Sequence, residues 1–162
     1  MHNQAKNKID EVGINEYFLH PGSIQVLKNQ GLITTLLGSC VGIAIADPVQ
    51  KIAGLNHYLL PKPLFGEKLG NRYGLFAIPE LILRLEQLGA NLNHLEAKIF
   101  GGSSHFNNAN PSLNVGAKNI LIARELLKKY SIPIIEENVG GQIGRRICLD
   151  VSSFQVQHVF VA

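Results

Sequence analysis

Apolar positions along this chain fall into two rhythms. Short runs rich in β-branched and aromatic residues, punctuated by glycine and proline, predict strands at residues 16–20, 32–37, 41–46, 51–60, 95–100, 133–139, 144–149 and 154–161. Residues 23–27 form a further extended piece. Two longer stretches carry the helical period instead. The first, residues 72–88, places Ile78, Leu81, Ile82, Leu85 and Leu88 on one face and ends at Gly89, which suits a cap. Pro79 fits that helix only near its start or at a kink. The second follows Asn114, a good N-cap, and aligns Ile120, Ala123, Leu127 and Tyr130 before Pro133 stops it.

The connections decide the class. Asp47-Pro48 turns residues 41–46 back on 51–60 as a hairpin, and Gly140-Gly141 and Ser152-Ser153 read as two more hairpin turns. Residues 61–70 hold prolines and glycines and form a loop, while residues 1–13 are polar and predict a flexible N-terminal tail. About eight strands in hairpins with two helices predict an α+β layered sandwich of mostly antiparallel strands. The expected organisation is one domain over residues 14–162.

Composition narrows the function classes. A net charge of +3 without a basic patch gives no footprint for nucleic acid. No apolar run reaches the length of a membrane span and residues 1–6 lack a signal core, so the expected location is the cytoplasm, with no membrane insertion. The two cysteines, Cys40 and Cys148, form no CxxC pair, and the histidines gather at no zinc spacing, so neither metal nor cofactor is called for.

Candidate chemistry centres on Leu37-Gly38-Ser39-Cys40-Val41, where one strand run bends into the next. Glycine beside a cysteine lets backbone N–H groups approach a ligand, which suits a nucleophile with an oxyanion pocket built from Gly38 and Ser39. The alternative is a buried cysteine acting as a small hydrophobe. Among the six histidines, His57 lies on the returning arm of the hairpin that begins at Cys40 and is the best base. A threonine can hold its ring, and strand alternation puts one of Thr34 and Thr35 with Leu36 and the other with Leu37. Asn56 adjoins His57 but must face the other way. Gly101-Gly102-Ser103-Ser104 follows a strand without the lysine of a phosphate loop, and fits a tight turn approaching the site.

Leu37-Gly38-Ser39-Cys40-Val41, His57-Tyr58-Leu59-Leu60-Pro61, Lys98-Ile99-Phe100-Gly101-Gly102 and Gly140-Gly141-Gln142-Ile143-Gly144-Arg145-Arg146 together resemble, in content and order, the CheD family of chemoreceptor glutamine deamidases. The resemblance runs from about Glu16 to Val161. It implies a three-layer α/β/β sandwich, a cysteine-dependent protein-glutamine glutaminase activity, and a catalytic trio of Cys40, His57 and Thr34. Gly38, Ser39, Gly101 and Gly102 are the expected oxyanion and substrate contacts. The implied partners are the helical cytoplasmic region of methyl-accepting chemotaxis receptors and a CheC-type phosphatase. A regulator that binds such a phosphatase with little catalysis is the alternative role, with the second helix as partner surface. Two positions depart from the family pattern: Leu75 stands where the opening of the first helix usually has aspartate, and Ser103-Ser104-His105-Phe106 replaces a segment usually led by alanine and containing methionine.

Overall fold

The computed structural model describes residues 6–9, 13–105 and 111–161. Its strands are β1 (Lys6–Ile9), β2 (Asn15–Phe18), β3 (Ile24–Lys28), β4 (Leu32–Leu37), β5 (Val41–Asp47), β6 (Ile52–Asn56), β7 (Glu96–Gly101), β8 (Ile134–Val139), β9 (Gly144–Asp150) and β10 (Gln155–Val161). The helices are α1 (Gly74–Gln87) and α2 (Val115–Lys129). Two five-stranded sheets form, in the orders β1-β2-β4-β9-β10 and β3-β6-β5-β7-β8. Only β2–β4 and β7–β8 pair in parallel among the described strands.

Side-chain size along β5 explains the layering. Every residue of the strand is buried, so it is covered on both faces and needs no polar alternation. Its large residues Val41, Ile43 and Ile45 join Ala77, Ile78, Leu81, Leu85, Ala123 and Leu127 of the helices in one core. Its small residues Ala44 and Ala46 meet Ile33, Leu37, Ile147 and Leu149 of the first sheet in a second core. The result is the expected three layers: helices, second sheet, first sheet. Truncating a fully buried residue such as Leu81 to alanine would cost about 2–5 kcal/mol.

Both helices form where the period predicts. Asn114 caps α2, its side chain accepting the Ala117 N–H at 3.0 Å, and Gly89 follows the α1 C-cap with φ of 112°. Pro79 sits inside α1, where it deprives the Leu75 carbonyl of its helical donor. Leu88 and Tyr130, expected on the apolar faces, are C-cap residues and exposed.

Two expectations change. Residues 6–9 of the supposed tail are a strand, antiparallel to β2, while residues 1–5 and 10–12 lie outside the described residues. Gly140-Gly141 closes no hairpin: β8 belongs to the second sheet and β9 to the first. A glycine turn signals a reversal or a crossing equally well, because both need only positive φ, here 78° and 75°. The Ser152-Ser153 turn does join a hairpin, β9 to β10.

Candidate active site

The residues between β4 and β5 also carry the chain from one sheet to the other, and Cys40 stands at that crossing. Alternation along β5 puts Cys40 on the same face as Ala44 and Ala46, and it packs against the core between the sheets. Val41 and Tyr58 exchange both backbone hydrogen bonds, at 3.1 and 3.0 Å. That register sets His57 across from Gly42 and diagonal to Cys40, on one face. Diagonal partners stand about 7–8 Å apart in the backbone, within reach of long side chains. A β-carbon at Gly42 would meet the Asn56 carbonyl oxygen at 3.2 Å and Leu37 Cδ1 at 3.3 Å, so glycine suits this close packing.

The ring is held from the first sheet. Ile33, Thr35 and Leu37 of β4 point inward, and the Thr35 hydroxyl lies 2.7 Å from His57 Nδ1 and 2.7 Å from the Leu19 carbonyl oxygen. A carbonyl only accepts, so the single hydroxyl proton goes to Leu19. Thr35 Oγ1 must then accept a proton from Nδ1. This fixes the tautomer: Nδ1 carries the hydrogen and Nε2 keeps its lone pair. Nε2 is buried and has no hydrogen-bond partner among the described residues.

Thr34, expected on this ring, is on the opposite face. Its hydroxyl is directed to Glu16 at 3.5 Å, and it stands across from Cys148 in the β4–β9 ladder. The cause is the period of two: Thr34 shares its face with the exposed Leu36, Thr35 with the buried Leu37. Asn56 faces the helices as expected, accepting the Ile43 N–H at 2.9 Å and donating to the Ala77 carbonyl at 3.2 Å.

Electrostatically the pair rests neutral. Burial, with a smaller contribution from the charge of His20, lowers the His57 pKa to about 4. Burial raises the Cys40 thiol, opposed by its own backbone N–H. A neutral imidazole whose Nε2 keeps its lone pair can act as a base; Nε2 makes no hydrogen bond to Cys40 Sγ, although the two side chains share one face.

Three glycine turns are tied together behind Cys40. Gly102 N–H donates to the Cys40 carbonyl at 2.8 Å and Ser103 N–H to that of Gly38 at 2.9 Å. Gly140 N–H donates to Gly101 at 2.8 Å and Ser104 N–H to Gly141 at 2.9 Å. Gly101 has φ of 100°, and a β-carbon there would collide with the Cys40 carbonyl. Gly102 was expected to offer a contact to substrate; its N–H is instead committed to the turn, and with Gly101 it buttresses Cys40 from behind. Buried Arg145 braces the third turn, donating to the Asn138 backbone and side-chain oxygens, each at 2.5 Å, and to the Gly140 carbonyl.

Sequence reasoning missed Asn119 of α2. Fully buried, it donates from Nδ2 to the carbonyls of Ser39 at 2.9 Å and Leu59 at 2.8 Å. A polar residue inside the helix's buried stripe of Gly116, Ile120 and Ala123 was the signal. Leu75 and His105, the departures from the family pattern, are exposed, and Phe106 lies outside the described residues. Among the described residues no three His, Cys, Asp or Glu side chains gather as metal ligands, and no helix is long and apolar enough to cross a membrane.

Residues 59–159 match the profile of the family described as CheD, chemotactic sensory transduction. A probable chemoreceptor glutamine deamidase CheD 1 from Anaeromyxobacter dehalogenans is 37% identical over 139 residues, 86% of this chain and 81% of that protein. A probable chemoreceptor glutamine deamidase CheD from Clostridium botulinum is 39% identical over 148 residues, 88% of this chain and 91% of that protein. Among solved structures, Neisseria meningitidis NMB0706, of family DUF152, superposes with a TM-score of 0.55 at 10% identity, over 82% of this chain and 66% of its own. That likeness concerns the fold alone.

Proposed function

The chain belongs to the CheD family, and from that premise we propose that it deamidates glutamine side chains of chemoreceptors to glutamate through a thioester on Cys40. The observation that carries the reading is the Leu19–Thr35–His57 arrangement, which leaves Nε2 as a lone-pair donor on the face Cys40 shares.

His57 Nε2 removes the thiol proton as sulfur attacks the glutamine carboxamide carbon. Both groups rest neutral, so proton transfer accompanies attack rather than preceding it. Backbone N–H groups of the Ser39–Cys40 corner stabilise the oxyanion. Thr35, in place of Thr34, holds the ring. The imidazolium returns its proton to the amide nitrogen, which leaves as ammonia. Water, deprotonated by His57, then hydrolyses the thioester and releases glutamate and the free thiol. The same acyl chemistry would cleave a glutamate methyl ester. A receptor's helical cytoplasmic region as substrate places the protein in the cytoplasm.

Incubation with a cognate receptor cytoplasmic fragment, followed by mass spectrometry of glutamine-containing peptides, tests this. Conversion of specific glutamines, absent with Cys40→Ala protein, is the expected result; conversion by the mutant or none by the wild type overturns it.

A second reading, docking of a CheC-type phosphatase, has its own observation. A groove of about 500 Å³ runs between Leu60–Leu64 and α2, lined by exposed Leu64 and Leu121 with Lys62, Lys118 and Glu125 at its edges. Loss of phosphatase pull-down in Leu121→Glu protein is expected, and unchanged capture counts against it.

A further inference from the structure

The Ser39–Cys40 peptide unit is held in one orientation from outside its own turn. Asn119 Nδ2 faces two carbonyl oxygens, those of Ser39 and Leu59, at 2.9 and 2.8 Å. Carbonyls only accept, so the amide cannot be reversed, and its Oδ1 is buried without a partner among the described residues. A peptide unit is planar, and no cis bond occurs among the described residues. In a trans unit the C=O and N–H point in opposite directions. Drawing the Ser39 carbonyl toward α2 therefore turns the Cys40 N–H away from α2, toward the space between the sheets. That is the side on which the Cys40 side chain packs.

The second bond acts on the other half of the site. Leu59 follows His57 by two residues, on the arm that bridges to Val41 through Tyr58. One side chain thus spans the cysteine turn and the histidine arm. The Tyr58 hydroxyl donates to the Asn119 backbone carbonyl at 2.5 Å, which fixes α2 against that arm without engaging the amide.

We propose that Asn119 is a positioning residue: it aims the Cys40 N–H at the oxyanion that forms on the glutamine carboxamide, and fixes the spacing of the Cys40 turn and the His57 arm. The proposal rests on the deamidase reading of the site. The Cys40 N–H also favours the ionised sulfur, opposing the rise that burial imposes on the thiol pKa. The same orientation serves thiolate and oxyanion, so both properties depend on Asn119.

The test uses full-length wild type, Asn119→Ala, Asn119→Ser and Tyr58→Phe, each checked for folding by circular dichroism. Deamidation of a receptor fragment gives kcat and KM. Alkylation of Cys40 by iodoacetamide against pH, followed by mass spectrometry, reports the thiolate without receptor. Losing one oxyanion donor costs roughly 10²–10³ in kcat, so its misorientation is expected to lower kcat by roughly tenfold to a hundredfold. KM should stay within about threefold, and the alkylation midpoint should rise by about one pH unit. Tyr58→Phe, which loosens the helix but spares the amide, should keep the wild-type midpoint. If Asn119→Ala does not fold, Asn119→Ser, smaller but polar, is read in its place. A folded Asn119 variant with the wild-type alkylation profile overturns the proposal, as does an equal shift in Tyr58→Phe. If the wild type deamidates nothing, the parent reading fails, while the alkylation profiles still decide whether Asn119 orients the peptide unit.

Discussion

The first sheet has two faces, and each carries a threonine beside a sulfur or its base. On the outer face, Thr34 lies across from Cys148, near Glu16 and Asp150. On the inner face, Thr35 holds His57, with Cys40 on the same side. Burial raises both thiols. In both, a hydrogen bond opposes that rise. For Cys148 it comes from Thr34, and the Glu16 and Asp150 carboxylates add smaller upward contributions. For Cys40 it comes from its own backbone N–H, and His57, whose Nε2 has no partner among the described residues, shares its face. Partial burial and one opposing hydrogen bond are common to both thiols; what separates them under the deamidase reading is the imidazole on the Cys40 face.

The largest effect expected from breaking that contrast is at the sulfur. Cys40→Ala should remove receptor deamidation by at least about 10⁴-fold, since a nucleophile has no substitute, whereas Cys148→Ala should stay within about twofold under the same assay. Adjacent threonines sharpen the point. Thr35→Val keeps shape but loses the hydroxyl that fixes the tautomer, and kcat should fall by about 10²-fold. Thr34→Val should leave kcat within about threefold; a reversal of these two results would return the ring-holding role to Thr34.

Acid unfolding supplies a smaller effect. The folded His57 pKa of about 4 lies below the ordinary value of 6.5, so between these values the unfolded chain binds the extra proton. Its stabilising contribution is complete above pH 6.5 and is lost as pH falls through about 4, amounting to about 3 kcal/mol. His57→Gln should flatten that part of the stability curve in chemical denaturation. The smallest expected change belongs to Cys148→Ser, whose melting temperature should move by only about 2–4 °C.

The shared face of Cys40 and His57 was legible because a bend between apolar runs and a returning hairpin are local features. Alternation also established that only one threonine shares the Leu37 face. Which one meets the histidine depends on the two sheets facing each other, and that is a tertiary fact with no local signature. The family spacing pointed to Thr34, one residue away on the wrong face. The Gly140-Gly141 turn misled for a related reason: glycine permits the bend but does not say whether the strands after it pair or part. Strand β1 escaped notice because Lys6-Asn7-Lys8-Ile9 has little apolar pattern and pairs at an edge. Asn119 left a trace, a polar residue in a buried stripe, but its partners Ser39 and Leu59 lie far off in sequence.

The position of β4 has a consequence for biogenesis. Its two neighbours are β2, made before it, and β9, which begins only at Gly144. A nascent chain that has exposed Cys40 and His57 from the ribosome still lacks half the ladder that presents Thr35, and lacks α2 as well. Its thiol is therefore expected to be a bare one, alkylated by iodoacetamide but inert toward glutamine, until translation has passed β9. Under the deamidase reading, chemical competence is expected to arrive late and all at once. Stalled chains ending before Gly144, compared with released full-length protein for alkylation and deamidation, would time its arrival.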